Sequence, residues 1–240
     1  MIQLFCIPFA GGNVYSYQGF HKHVGDRTKT VPLEYPGRGR RTKEPLLFSI
    51  QELCFDLVAQ MRSCIRGPYA LFGHSMGAYL GYLAVRSLVT EGSFPLPCHM
   101  FVSGASGPSL PRTQTNLHTL GKMAFIAELV KYGGMPKELI ANKELTDYFE
   151  PILRADFQAI ETDTIQARPP LDLAITVMTG VADKIITLDK ARAWQAETTI
   201  PITVHTFPGE HFFIFDHWPH IGKIVEKTLK SLPQNCIQQG

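Results

Sequence analysis

Gly73-His74-Ser75-Met76-Gly77 sets a serine midway between two glycines. The pattern G-x-S-x-G suits a serine on a sharp turn between a strand and a helix, where small residues at both flanks let the backbones approach closely. Such a bend pushes the hydroxyl out at the carboxyl edge of a parallel sheet, the edge at which ligands bind. The helix N-terminus just behind it favours developing negative charge. Ser75 is therefore a candidate nucleophile for acyl transfer.

A serine hydroxyl is a poor nucleophile until a base takes its proton. On a strand-turn-helix of this kind the partners follow in the order serine, acid, histidine. Of nine histidines, His211 is the expected base, because Pro208-Gly209-Glu210-His211-Phe212 comes directly after the last predicted strand. His217 and His220, at the start of the last predicted helix, are its rivals. His74 reads as a packing or orienting residue, and His99 and His205 fall within strands. His21 and His23 form an H-x-H that could suggest a metal, but without a nearby acidic or cysteine ligand they read as surface histidines.

The acid must hold the imidazole in one tautomer and stabilise the imidazolium. Asp183 fits, since Thr179-Gly180-Val181-Ala182-Asp183 leaves the carboxyl end of a predicted strand. Asp189 reads as a helix-start residue, Asp172 lies at the wrong edge, and Glu210 would have to fold back on its neighbour. A tetrahedral intermediate also needs two N–H donors. Met76, after the nucleophile, is one; the other is expected from Pro8-Phe9-Ala10-Gly11-Gly12, with Ala10 the choice and Gly11 the alternative. A plain strand-to-helix turn would also use Gly-Gly. None of this chemistry requires a metal or a cofactor, and none is expected.

These groups need a parallel sheet to hold them, and short apolar runs do alternate with helical patterns along the chain. Strands are predicted over residues 4–7, 30–33, 69–72, 99–102, 173–178 and 202–207. Ser49-Ile50-Gln51-Glu52 is a capping box, and Ile50, Leu53, Leu57, Met61 and Ile65 recur behind it at helical spacing. Further helices are predicted over 76–88, 188–196 and from about Pro219 to 232, with a frayed tail over 233–240. Between about residues 108 and 170 the pattern holds no convincing strand, only helical stretches over 122–132, 136–142 and 144–162. Three helices in one crossover exceed what the connection needs, and read as a lid over the site; ordinary crossover helices are the plainer alternative.

The 240 residues suit one domain with one insertion, and 45% hydrophobic content can form a core. A net charge of +2 is too small to point to nucleic acid. No apolar run approaches a membrane span, and residues 1–9 lack the marks of a signal peptide. Cys6, Cys54, Cys64, Cys98 and Cys236 are odd in number and form no C-x-x-C, so reduced thiols in a cytoplasmic protein are expected.

The motifs taken in order resemble the external, type II, thioesterases of nonribosomal peptide and polyketide synthesis. Besides the serine and histidine motifs and Pro8–Gly12, the resemblance rests on Tyr35-Pro36-Gly37-Arg38-Gly39-Arg40, Gly133-Gly134-Met135-Pro136 and Leu153-Arg154-Ala155-Asp156, and it extends over nearly the whole chain. Glu210 departs from it, since the family more often has a second glycine there. The resemblance implies an α/β-hydrolase fold over residues 1–240, with the helical lid at about 108–170. It implies a cytoplasmic monomer hydrolysing small acyl groups from the phosphopantetheine arm of acyl or peptidyl carrier domains, with neither nucleic acid nor membrane as partner. Release of medium-chain fatty acids falls within the same family; a carboxylesterase of this fold and an idle carrier-binding module are the rivals. Phe125, Ile126, Leu129 and Val130 could wall an acyl channel or simply pack a helix. Arg38, Arg40, Arg41 and Lys43 could meet acidic carrier domains or form a solvated loop.

Overall fold

The computed structural model describes residues 1–92, 94–111, 115–131, 133, 141–164 and 168–232. Its centre is a six-stranded sheet of β1 (Ile2–Ile7), β2 (Thr28–Pro32), β3 (Tyr69–His74), β4 (His99–Ser103), β5 (Ile175–Gly180) and β6 (Thr203–Phe207), in the order β2-β1-β3-β4-β5-β6. All five pairings are parallel. A parallel strand covered on both faces must be apolar on both faces, and β1 and β3 are. Phe5, Ile7 and Leu71 enter one core layer, while Leu4, Cys6, Ala70 and Phe72 enter the other. The edge strands are β2, with Lys29 and Pro32, and β6, and both are only partly buried.

Helices α1 (Ile50–Cys64) and α2 (Met76–Thr90) cover the first face. The long α6 (Ile214–Lys230) and the short turn of helix at Phe20–His23 cover the second. The capping box at α1 forms in part. The Ser49 hydroxyl accepts from the Glu52 amide at 3.2 Å and donates to the Glu52 carboxylate at 2.8 Å. Helix α6 begins five residues before Pro219, with a break at His217 (φ −121°, ψ 15°) that joins two helical pieces. Proline marked the first turn of the second piece only. Strand β5 starts at Ile175, two residues later than expected. Leu173 is buried, and just before it Leu171 makes only an isolated bridge to Thr198.

Between β4 and β5 the described residues form no strand. They hold a turn of helix at Leu117–Thr119, then α3 (Lys122–Lys131) and α4 (Lys143–Thr162). A further helix, α5 (Leu188–Arg192), precedes β6. The helix predicted over 136–142, the Gly133–Pro136 motif beyond Gly133, and the tail from 233 lie outside the described residues. No described helix is long and apolar enough to cross a membrane. Cys6, Cys54 and Cys64 are free thiols.

Strand β4 carries a buried imidazole whose titration should be visible in stability. His99 bonds Thr176 Oγ1 through Nε2 at 2.8 Å, and burial lowers its pKa to about 4. An unfolded histidine titrates near ~6.5. Between those values the unfolded chain binds a proton that the folded chain refuses, so this contribution to stability grows with pH and is lost on acidification. His99→Gln should flatten the fall in unfolding free energy between pH 6.5 and 5 by up to about 1.4 kcal/mol per pH unit. Urea melts across that range measure it, and equal slopes in both proteins would refute the assignment.

Candidate active site

Strand order reverses between β1 and β3, and the crevice at such a switch point is where parallel sheets bind ligands. Ser75 leaves β3 and the Pro8–Gly12 loop leaves β1, so the two flank that crevice. Ser75 has φ 53° and ψ −122°, a strained conformation for a residue with a side chain. The glycines on either side make the bend possible. A Cβ on Gly73 would lie 2.5 Å from the Gly77 backbone, and one on Gly77 would lie 2.2 Å from the Ile7 carbonyl oxygen. The Ser75 amide is anchored to the Ser103 carbonyl at 2.8 Å.

The other two groups arrive on adjoining loops. After β5 and β6, the Val181 amide donates to Phe207 O and the Ala182 amide to Gly209 O, each at 2.9 Å. A Cβ on Gly180 would sit 2.5 Å from the Glu210 carbonyl oxygen, so only glycine allows the loops this close. Asp183 Oδ2 lies 2.8 Å from His211 Nδ1, and His211 Nε2 lies 3.1 Å from Ser75 Oγ. Asp183 and His211 are both buried. The second Asp183 oxygen accepts from the Ile185 and Ile186 amides at 2.8 and 2.9 Å. Burial alone would raise the Asp183 pKa. The bond and charge of His211 and the two amides outweigh it, and the carboxyl falls below its ordinary value. An ionised carboxylate only accepts, so Nδ1 carries the proton and Nε2 is free to accept from the serine hydroxyl.

The rival residues lie elsewhere. His217 bonds the Pro208 carbonyl, His220 and Asp189 are exposed, and Asp172 accepts from Thr199. Glu210 is exposed, with its carboxylate towards Gly133 rather than folded back on His211. His74 is fully buried with its ring 5.0 Å from that of His211 and Nδ1 3.0 Å from Ser103 Oγ. Burial first, then the neighbouring His211, hold its pKa well below the ordinary value, so it packs here as a neutral ring. Among the described residues no group of His, Cys, Asp and Glu is arranged to hold a metal.

Of the two N–H candidates on the first loop, Gly11 is already committed, donating to Asp156 Oδ2 at 2.7 Å. Ala10 is left as the choice. Met76 is the first residue of α2, so helix geometry gives its N–H no acceptor within the helix.

For the basic loop the expectation changes in part. Arg38 does not face solvent. It is 1% exposed and grips Asp156 through both nitrogens at 2.5 and 2.8 Å. Arg41 is held by Asp56 and Glu44. Of the basic loop only Arg40 and Lys43 remain exposed, because nearby carboxylates neutralise the rest. The apolar stripe of α3 packs rather than lines a channel. Phe125 and Leu129 are buried with Leu117 and Leu153, while Val130 is exposed. Sequence reasoning gave Asp156 no role, although its motif had been singled out.

The sequence pattern of the family described as "Thioesterase domain" matches residues 2–229. The chain is 32% identical over 233 residues to a protein named linear gramicidin dehydrogenase LgrE from Brevibacillus parabrevis, covering 96% of this chain and 88% of that one. Among solved structures it resembles ClbQ from the colibactin NRPS/PKS pathway at 33% identity, covering 96% and 97% of the two chains with a TM-score of 0.91. It also resembles RedJ, a thioesterase from the prodiginine biosynthetic pathway in Streptomyces coelicolor, at 34% identity, covering 92% and 89% with a TM-score of 0.85.

Proposed function

Since this chain belongs to the thioesterase domain family and has the α/β-hydrolase fold, we propose that it hydrolyses acyl thioesters held on the phosphopantetheine arm of carrier domains. Ser75 is the nucleophile, His211 the base and Asp183 the group that orients it. The observation that carries this reading is the chain of contacts from Asp183 to His211 to Ser75, at 2.8 and 3.1 Å. The setting of ClbQ in an NRPS/PKS pathway supports the carrier as partner.

In this reading His211 takes the Ser75 proton as Oγ attacks the thioester carbonyl. The Met76 and Ala10 N–H groups receive the oxyanion. The carbon–sulfur bond breaks, His211 returns its proton to the departing sulfur, and an acyl-serine remains. His211 then deprotonates water, which attacks the acyl carbon; the acid leaves and Ser75 recovers its proton. A thiol has a pKa near ~8.5, so the first departure needs less help than an amine would. Helices α3 and α4 form the lid over this chemistry. The dehydrogenase name of one relative does not carry over. The first loop, Phe9-Ala10-Gly11-Gly12-Asn13, lacks the G-x-G-x-x-G of a dinucleotide-binding turn.

A panel of acyl-carrier proteins, acyl-pantetheines and matched oxygen esters tests the proposal. We expect kcat/KM to be highest for carrier-bound thioesters and at least about 10-fold lower for the oxygen esters, a difference of about 1.4 kcal/mol in barrier. Preference for oxygen esters would make the protein a carboxylesterase. Equal rates on carrier-bound and free acyl-pantetheines would remove the carrier from the proposal. Carrier binding without any turnover would leave only a docking module.

A further inference from the structure

Helix α4 touches the first loop through one face. Leu153 and Asp156, three residues apart on that face, both reach Gly11. Asp156 accepts from the Gly11 amide at 2.7 Å, and a Cβ on Gly11 would sit 2.5 Å from Leu153 Cδ2. The loop itself is a tight turn, because the Gly12 amide donates to the Phe9 carbonyl at 2.8 Å. Gly11 stands third in it with φ +76°, the signature of a type II turn. The type I alternative turns the central peptide over, which would swing the Gly11 N–H away from α4 and bring a carbonyl oxygen against the carboxylate. Asp156 therefore selects one of the two turn forms.

The ion pair behind it is costly if it serves stability alone. Asp156 is 0% exposed and Arg38 1%. Replacing such a buried pair with apolar side chains of similar size is often neutral or stabilising. What apolar side chains cannot replace is the bond to Gly11. Arg38 donates to both Asp156 oxygens and so fixes the plane in which Oδ2 meets that amide.

Resting on the serine mechanism above, we infer that Asp156, clamped by Arg38, is a positioning residue for the oxyanion site. It holds the Phe9–Gly12 turn in its type II form through the Gly11 N–H, and so anchors the loop whose Ala10 N–H is the second donor in that mechanism. The helical insertion is then part of the catalytic apparatus as well as its cover.

The test uses the double variant Arg38→Met with Asp156→Leu, which removes both buried charges together and preserves volume. Active sites are first counted by titration with a fluorophosphonate. We expect a folded protein with KM within about 3-fold of wild type and kcat lowered about 100-fold, as for loss of one oxyanion donor. Affinity for an acyl trifluoromethyl ketone, whose adduct oxygen needs the same donors, should fall by a similar factor. Asp156→Asn keeps an acceptor for Gly11 but loses one of the two Arg38 bonds, so its kcat should fall between those of the wild type and the double variant, and a kcat as low as that of the double variant would overturn the inference. Wild-type kcat in the folded double variant, or lowered kcat with unchanged ketone affinity, would overturn the inference. If the double variant does not fold, Asp156→Glu decides. It keeps the charge beside Arg38 but displaces the oxygen by a methylene, so kcat should drop about 10-fold or more at constant KM, and an unchanged kcat would overturn the inference. Ser75→Ala in the same assay separates the two failures. Turnover there removes the serine mechanism itself, whereas a dead Ser75→Ala beside unaffected Asp156 variants removes only the positioning role.

Discussion

Asp183→Asn is expected to lower kcat by about 10⁴-fold while leaving the fold in place. The size of the effect comes from the two amides that bind the far oxygen of Asp183. Ile185 N–H and Ile186 N–H both donate to Oδ1. An asparagine must offer them its carbonyl oxygen, which turns its NH₂ towards His211. That NH₂ donates, so His211 Nδ1 must become the acceptor and the ring proton moves to Nε2. The imidazole then presents N–H to Ser75 Oγ, which lies 3.1 Å away in the native site, and can no longer take the serine proton. Orientation is preserved and the base is lost. Steady-state kinetics on one acyl-carrier substrate, beside a circular dichroism spectrum, measure this. Activity within 10-fold of wild type would show that Asp183 does not set the tautomer.

Ser75→Ala carries the larger effect, a loss of at least about 10⁴-fold in turnover with carrier binding retained. Alanine has the same Cβ as serine, so the strained backbone at φ 53° is no worse off. The turn, the Met76 and Ala10 amides and the His211–Asp183 pair should all stay in place. Only the attacking oxygen is removed. Whatever rate remains measures the oxyanion donors and substrate positioning acting on water.

The elbow and its partners were legible in the sequence because each is tied to a local steric demand. Glycines two residues on either side of Ser75 are needed where one backbone comes within 2.2 Å of a missing Cβ. Gly180 is needed where the acid and base loops meet, and Gly209 where the base loop takes φ +116°. The sheet was legible because β1 and β3, covered on both faces, must be mostly apolar on both of them. What stayed hidden depends on contacts between distant segments. Asp156 and Arg38 are separated by 118 positions. Nothing local distinguishes a buried aspartate on an amphipathic helix from a solvated one. Arg38 also stands in a basic run that reads as surface, until Asp156, Asp56 and Glu44 are seen to take up two of its members. The α3 stripe was ambiguous for a related reason. Apolar residues at helical spacing name the face that is covered and not what covers it; here Leu117 and Leu153 do. The same limit separates Ala10 from Gly11, since only the Asp156 contact shows which amide is occupied.

Rapid-quench mass spectrometry bears most directly on the nucleophile. Wild-type protein mixed with an activated acyl thioester and quenched within the first turnover should carry the acyl group on the peptide containing Ser75. Ser75→Ala should carry none there. Acyl transfer to another side chain, or sustained hydrolysis with Ser75 never acylated, would contradict the account.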